Sequence, residues 1–334
     1  MRIDRLTYYA KKLIIFILSV FALSFIVFYV ARLAPGDPLL SYYGDRTEKM
    51  SEKERVWAMG RLGLDRPIYE QYLSWLENAA HGNFGISYKY KQDVAEVISG
   101  RITNTLILGG IGFVLTFALA LLLGIVCEWY EERWPDRVIC ALGTVSSCIP
   151  EFWLSLVLIL FFCVSLRLLP SSGAYSIGMS ADIGDRAVHL ILPMTVVVLS
   201  HLWYYAYMIR NKIFEEIRAD YVLLAKSKGL SKRRILFIHC LKNILPSYLN
   251  IMAISVPHVL GGTYIVETVF SYPGIGALSY ESAKFHDYNL LMLLCMITGV
   301  VVIFCNILSQ IINEHIDPRI KAKDVIAISE AAEQ

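Results

Sequence analysis

Residues 220–246 read DYVLLAKSKGLSKRRILFIHCLKNILP. This is a long, strongly charged segment between two apolar runs. Ile191 to Met208 upstream and Ile244 to Val266 downstream are almost without charge. In and beside the segment stand Arg210, Lys212, Arg218, Lys226, Lys228, Lys232, Arg233, Arg234 and Lys242. A basic cluster between apolar spans marks a cytoplasmic loop of a membrane protein.

The loop has helical order. Ile213, Ile217, Tyr221, Leu224 and Ala225 recur at the spacing that paints one apolar face on a helix. Gly229 ends that helix, because glycine takes the left-handed conformation at a C-terminus at little cost. Ser231 caps a second helix, whose expected apolar face carries Ile235, Ile238, Leu241 and Leu245. Two short helices joined by Lys-Gly-Leu-Ser make a compact knob. Its apolar stripe packs either on the protein's own membrane domain or on a partner.

The residues also carry a resemblance. D-Y-V-x-x-A-K-S-K-G-L-S, followed by His239 and K-N-x-L-P ending at Pro246, resembles the EAA-type coupling loop of ABC-transporter permeases. The similarity is to the peptide/nickel branch of the binding-protein-dependent importers. In that family the loop docks into a groove on a separate ATPase subunit. The resemblance therefore implies a coupling role for Asp220, Tyr221, Ala225, Lys228, Gly229 and Leu230. The general motif has Glu six residues before the glycine, then two alanines. Leu223, Leu224 and Ala225 stand there instead, a departure common in the peptide branch.

Composition agrees with a membrane protein. The 334 residues are 56% hydrophobic, and a mean hydropathy of +0.52 is too high for a soluble domain of this size. The seven cysteines are scattered with no CxxC pair, so neither a zinc site nor a disulfide framework is indicated. They read as small buried hydrophobes.

Taken in order, residues 1–12 form a basic cytoplasmic N-terminus. Residues 13–31 form the first span, about 19 residues and enough to cross roughly 30 Å of hydrocarbon. Its exit, ARLAPGDP, has no small-x-small cleavage site, so the segment reads as an uncleaved helix. Residues 32–104 make a polar external cap, helical around Tyr69 to Asn78. Residues 105–127 are the second span and 138–166 the third, long enough to break at Pro150. Residues 188–208 are the fourth, 209–243 the coupling loop, 244–266 the fifth, 267–289 an external loop and 290–312 the sixth. Residues 313–334 are a cytoplasmic tail. The RLAPGDP exit, the LGLDRPIYEQYLSWLENAAHGNFGISY stretch, the Pro170-Ser-Ser-Gly173 turn and Asp317-Pro-Arg319 are all similar to the same family. The resemblance thus runs over nearly the whole chain.

Two further places stand out. Glu151 lies near the middle of the third span, and an ionisable residue at that depth faces a cavity or a partner. It is either a pathway carboxylate meeting a ligand's amino group or a paired group that fixes helix packing. IPEFW resembles the family's Pro-x-Phe-Trp segment, where a small polar residue is more usual at position 151. The second place is Val269-Phe-Ser-Tyr-Pro-Gly-Ile-Gly-Ala277. Pro273-Gly274 is a turn signal with proline at i+1 and glycine at i+2. The PGIG resemblance implies that Pro273, Gly274 and Gly276 face a binding protein; a simple tight connection is the plainer reading.

Charge tests the orientation. Segments assigned to the cytoplasm carry 18 Lys and Arg and external ones 13, of which ten sit in the long first loop. The charge rule loses force in long loops, so the short ones agree with both termini inside.

No GxxxxGK[ST] loop occurs, so ATP is not bound through one. No GxSxG or HExxH pattern is present either. His201 and His258 lie in spans, where lone histidines pack or hydrogen-bond more often than they bind metal. The chain is expected to be an all-α integral membrane protein of six spans with cytoplasmic ends, and not an enzyme. The resemblance implies the type I ABC importer permease fold and a cell-membrane location. It also implies a second homologous permease, two ATPase subunits or domains that use ATP and Mg, and an extracytoplasmic binding protein. Neither cofactor, metal nor nucleic acid is expected on this chain. The resemblance implies a substrate among dipeptides, oligopeptides, modified peptides, nickel or metal chelates, and the sequence does not choose between them. The alternatives are an ion-driven secondary transporter acting alone and an anchor or assembly subunit.

Overall fold

A computed structural model of the chain describes residues 2–33, 39–146 and 148–316. Asp317-Pro318-Arg319, most of the expected tail and residues 34–38 at the first-span exit lie outside the described residues. The fold is helical. In chain order come α1 (Arg2–Leu33), α2 (Leu40–Tyr43), α3 (Glu52–Leu62), α4 (Ile68–Ala80) and α5 (Val94–Thr105). Next are α6 (Ile111–Trp129), α7 (Trp134–Ser146), α8 (Glu151–Leu158), α9 (Ile183–Ile217) and α10 (Asp220–Ser227). The last are α11 (Lys232–Arg234), α12 (Leu241–Val269), α13 (Ile275–Lys284) and α14 (Tyr288–Ile316). Among the described residues, β structure is limited to an isolated bridge between Ile86 and Asp93.

Five helical runs among the described residues are long and apolar enough to cross a membrane: Tyr8–Leu33, Val94–Trp129, Ile183–Ile217, Lys232–Val269 and Tyr288–Glu314. A sixth candidate is the pair Trp134–Ser146 and Glu151–Ser165, bent by 105°. The bend has a local cause. Pro150 carries no N–H and disfavours helical backbone at the residue before it. It serves as the N-cap of α8 with φ −65° and ψ 140°. Elsewhere the helices outrun the hydropathy windows. The 35 residues of α9 extend about 52 Å at 1.5 Å per residue, well beyond the roughly 30 Å of hydrocarbon. Hydropathy marks the part in lipid, whereas backbone hydrogen bonding carries the helix on into water.

The chain divides into two compact units. The first comprises Met1–Leu106 and Ser271–Phe304. Its core joins Val94, Val97 and Ile98 of α5 to Leu278 of α13 and to Leu290 and Leu294 of α14. A second cluster sets Phe28 of α1 and Tyr72 of α4 against Met292 of α14. The Tyr72 hydroxyl shares a 2.7 Å hydrogen bond with Ser24 Oγ, so its polar tip is satisfied in an apolar setting. Asp287 precedes α14 and is fully buried. It accepts from Ser87 Oγ at 2.5 Å and from the backbone N–H of Lys89 at 3.2 Å. Glu281 takes Lys89 Nζ at 2.7 Å and the Tyr90 hydroxyl at 2.6 Å. Burial alone would raise the Glu281 carboxyl, but Lys89, Tyr90 and Arg101 hold it below its usual range.

The second unit comprises Ile107–Phe270 and Cys305–Gln334. Its central contact is α6 against α9. Gly112, Thr116, Ala120 and Gly124 recur every four residues on α6, and all are buried. Such a ridge of small residues lets two backbones approach closely. A Cβ on Gly124 would stand 3.1 Å from Ile209 and 3.3 Å from the backbone nitrogen of Arg210. One on Gly112 would meet Val197 at 2.9 Å. At the end of this packed pair, Arg210 of α9 grips Asp136 of α7 by two hydrogen bonds of 2.5 and 2.9 Å. Replacing Gly124 by Leu should therefore force α6 away from α9. The expected cost is about 1–3 kcal/mol, the range for overpacked sites. It is read as a lowered thermal midpoint of the purified chain in detergent, with Ala at the same position intermediate.

Candidate functional site

The knob begins where α9 stops. Arg218 closes α9, and Ala219 turns to extended backbone (φ −68°, ψ 152°). This break separates Ile213 and Ile217 from Tyr221 to Ala225, so the stripe is not one helical face. α10 then starts at Asp220, whose charge suits a helix N-terminus. Its other end is a Schellman motif. Gly229 N–H donates to the Lys226 carbonyl at 2.9 Å, and Leu230 N–H to that of Ala225 at 3.2 Å. Gly229 has φ +77°, and a Cβ there would meet nothing within 4 Å. Backbone conformation, not crowding, is what requires glycine. Two residues on, Ser231 Oγ accepts from the Arg234 N–H at 3.4 Å and caps the next helix, as expected from sequence.

Burial sorts the coupling candidates. Asp220, Lys228 and Gly229 are exposed and Leu230 is half-buried. Ala225 is buried, and Tyr221 turns inward to donate to Cys240 Sγ at 3.6 Å. Burial, with the Cys240 and Glu216 contacts, raises the Tyr221 phenol, so it remains a neutral donor. The apolar surface offered outward is instead Leu223 and Leu224, 60% and 56% exposed. A signal for this lay in the sequence. Val222, Leu223 and Leu224 are consecutive, and three successive helical positions cannot share one face.

The second helix of the knob also differs from expectation. A wide π-type turn over Ile235–Cys240 joins α11 to α12, so one helical run extends from Lys232 to Val269. Ile235, Leu236, Cys240 and Ile244 are buried, whereas Ile238 and Leu245 are exposed. Only Ile235 of the expected face is buried. A π turn inserts an extra residue and shifts the register of the helix beyond it. Lys232 anchors the start of this run: Nζ lies 3.2 Å from Glu128 Oε1 and donates to the Glu128 carbonyl at 3.0 Å.

The Pro273-Gly274 loop does not form the glycine-dependent turn. Gly274 has φ −107° and ψ 177° and is the N-cap of α13. The positive φ falls on Ser271 instead, at 49°. Asn104 Nδ2 donates to the Pro273 carbonyl at 2.9 Å, and Ile275 N–H donates to Thr105 Oγ1 at 2.8 Å. These bonds to α5 hold the loop against its own unit. Gly274 is buried, while Pro273 and Gly276 are half-buried.

In the second unit, Glu151 opens α8 and meets two histidines. Its Oε1 lies 3.6 Å from His201 Nε2 on α9, and its Oε2 is buried with no hydrogen-bond partner. His201 Nδ1 is 3.0 Å from the Val197 carbonyl, which makes Nδ1 the proton donor. A neutral His201 then turns the Nε2 lone pair towards the carboxyl, at a separation too long for a hydrogen bond. His258 of α12 lies 5.0 Å from His201, ring to ring, and 3.1 Å from the Tyr205 hydroxyl through Nδ1. His258 is exposed and Glu151 is only partly covered. Sequence reasoning singled out each of the three; the fold brings them together. No group of His, Cys, Asp or Glu among the described residues is arranged to hold a metal ion.

These features define a class: a helical membrane permease with a capped, outward-facing knob between two apolar runs. The profile of the binding-protein-dependent transport system inner membrane component family matches residues 120–322. The chain belongs to that family and is a multi-pass membrane protein, the permease component rather than an enzyme. It is 30% identical to the oligopeptide transport system permease protein AppB of Bacillus subtilis, over 94% of this chain and 99% of that one. It is 30% identical to a putative peptide permease protein of Brucella ovis, over 95% and 99% of the two chains. The fold is similar to a chain in an inward-facing structure of the MetNI methionine ABC transporter. There the TM-score is 0.54 with 16% identity, over 67% of this chain and 97% of that one. The type I importer permease fold expected from sequence is the one found.

The exposure of α10 has a direct check. In unsealed membranes stripped of peripheral proteins, Leu224→Cys should react with a maleimide at least about tenfold faster than Val222→Cys. Equal rates would remove the outward leucine surface.

Proposed function

We propose that this chain is one of two similar permease subunits of an ATP-driven importer for peptides or a related small substrate. Both chain termini and the α10 knob lie in the cytoplasm. Two ATPase subunits or domains, which carry the ATP and Mg, dock on the knobs. An extracytoplasmic binding protein delivers substrate to the other side, where the half-buried Pro273 and Gly276 are its candidate contacts in the external loop. The observation that carries this reading is the exposed Leu223–Leu224 pair on a helix closed by the Schellman motif at Gly229. Burying each leucine in a partner's groove contributes about 1.5–3 kcal/mol. The peptide substrate rests on the relatives, whose names refer to peptides and oligopeptides. The contact set therefore becomes Asp220, Leu223, Leu224, Lys228, Gly229 and the half-buried Leu230, with Tyr221 and Ala225 holding the helix from behind.

The mechanism is alternating access. Closure of the ATPases on ATP draws the knobs together and biases the permease pair towards its outward-open state; hydrolysis returns it. α9 and the Lys232–Val269 run enter and leave the knob as long helices, so a displacement of α10 is passed into the membrane on both sides. Glu151 is the pathway carboxylate in this reading, and a substrate cation would take its unpartnered Oε2.

Affinity purification of the tagged chain from its native membrane tests the assembly. An ATPase, a second permease and a binding protein should come with it. A chain that purifies alone and transports when reconstituted alone would turn the reading to an ion-driven carrier. Gly229→Pro cannot adopt φ +77° and removes the N–H bonded to Lys226. It should insert normally yet abolish uptake and lose the ATPase. Glu151→Gln should leave assembly intact and lower uptake of free-amino peptides relative to N-acetylated ones by about tenfold, the loss of one charge-assisted contact. An unchanged ratio would assign Glu151 to helix packing.

A further inference from the structure

The first unit holds an apolar groove of about 580 Å³ walled by α1, α4 and α14. Val20 and Phe21 of α1, Leu76 of α4, and Leu293 and Val300 of α14 are among its walls. It opens on the exposed side of α1, where Ile17 and Phe21 are 55% and 49% accessible. A second, polar pocket of about 300 Å³ adjoins it, since Trp75 and Phe84 line both. That pocket holds Arg32, Arg61 and Arg66, with Glu70 as its carboxylate.

Among the described residues, the fold does not consume these arginines. None of the three forms an ion pair among the described residues. Arg32 lies 5.1 Å over the Phe28 ring, and its buried Nε makes no hydrogen bond. Arg61 lies over Trp57. A cavity with three guanidinium groups against one carboxylate is complementary to an anion, and guanidinium matches phosphate geometry well. The adjoining groove is complementary to hydrocarbon.

We propose that the two cavities together bind one anionic phospholipid, its acyl chain in the groove and its phosphate on Arg32, Arg61 and Arg66. The dimensions suit that occupant. The groove residues of α1 run from Phe16 to Ser24, about 12–24 Å of helix from Arg32. That range brackets the hydrocarbon depth of one leaflet, half of about 30 Å. Trp75 sits where the apolar and polar cavities meet, the level at which tryptophan favours a membrane interface. A protein segment in the groove would need its own apolar stripe and a separate anion at one end. A phospholipid carries both in one molecule.

The test is native mass spectrometry of the complete transporter in mild detergent, titrated with dioleoyl-phosphatidylglycerol or dioleoyl-phosphatidylcholine. Phosphatidylglycerol should be retained about tenfold more tightly. Arg61→Gln with Arg66→Gln changes only exposed side chains, so assembly should persist, while phosphatidylglycerol retention falls towards that of phosphatidylcholine. Adding Arg32→Gln should complete the fall. Ala80→Trp, at an exposed position on the groove wall, should weaken both lipids. Equal retention of the two lipids would overturn the proposal, as would retention untouched by the arginine changes or by Ala80→Trp. Loss of all lipid from an intact wild-type complex would give the groove to a protein neighbour instead.

Discussion

The second unit depends on how closely α6 can approach α9. Lipid supplies no hydrophobic drive between helices, so association rests on contact area and on small residues that let backbones meet. Gly112, Thr116, Ala120 and Gly124 provide that surface on α6. α9 links the candidate sites of this unit. Its middle carries His201 and Tyr205, and its end carries Arg210 and leads into the knob. A side chain at Gly124 would move that whole helix, because the neighbouring atoms include the backbone of Arg210 as well as Ile209 and Ile213.

Polar anchors then fix the ends of the packed helices. Arg210 holds Asp136 at 2.5 Å, and Lys232 holds Glu128 at 3.2 Å. In each case one partner is nearly buried and the other reaches towards solvent. Removing one member of such a pair leaves a charge with no counter-ion, which is far costlier than the pair itself is stabilising. These pairs do not create the fold; they set the register in which α7, α9 and the knob meet. The hinge-like features lie beside them: the bend at Pro150, the break at Ala219 and the π turn over Ile235–Cys240. An alternating-access permease needs rigid helices joined at a few points that change direction, and that is the distribution found.

Much of the fold was legible beforehand because its causes are local. Long apolar runs, the break at Pro150, the glycine stop at 229 and the serine cap at 231 each arise from neighbouring residues alone. The candidate site was legible in part. Position and type of the knob were readable, and so was the oddity of Glu151. The inward turn of Tyr221 and Ala225 was not, because which side of a short helix is buried depends on what lies behind it. Behind α10 is Cys240, placed there by a π turn that no periodicity count anticipates. Pro273-Gly274 failed for a similar reason. Asn104 and Thr105 on α5 bond the loop into an extended form, and that outweighs the turn preference of the dipeptide.

What the sequence determined by itself is the class of molecule: helices long and apolar enough for lipid, a basic helical loop between two of them, and no nucleotide-binding loop. Those are properties of composition and short-range order, which need no tertiary information. Only the tertiary structure decided which residues act together. Glu151, His201 and His258 are far apart in the chain and meet because α8, α9 and α12 pack. Leu223 and Leu224 face outward because α10 turns Val222 and Ala225 inward and rests on the π turn through Tyr221 and Cys240. Burial and mutual distance are set by packing between distant segments, and no stretch of sequence contains its own neighbours.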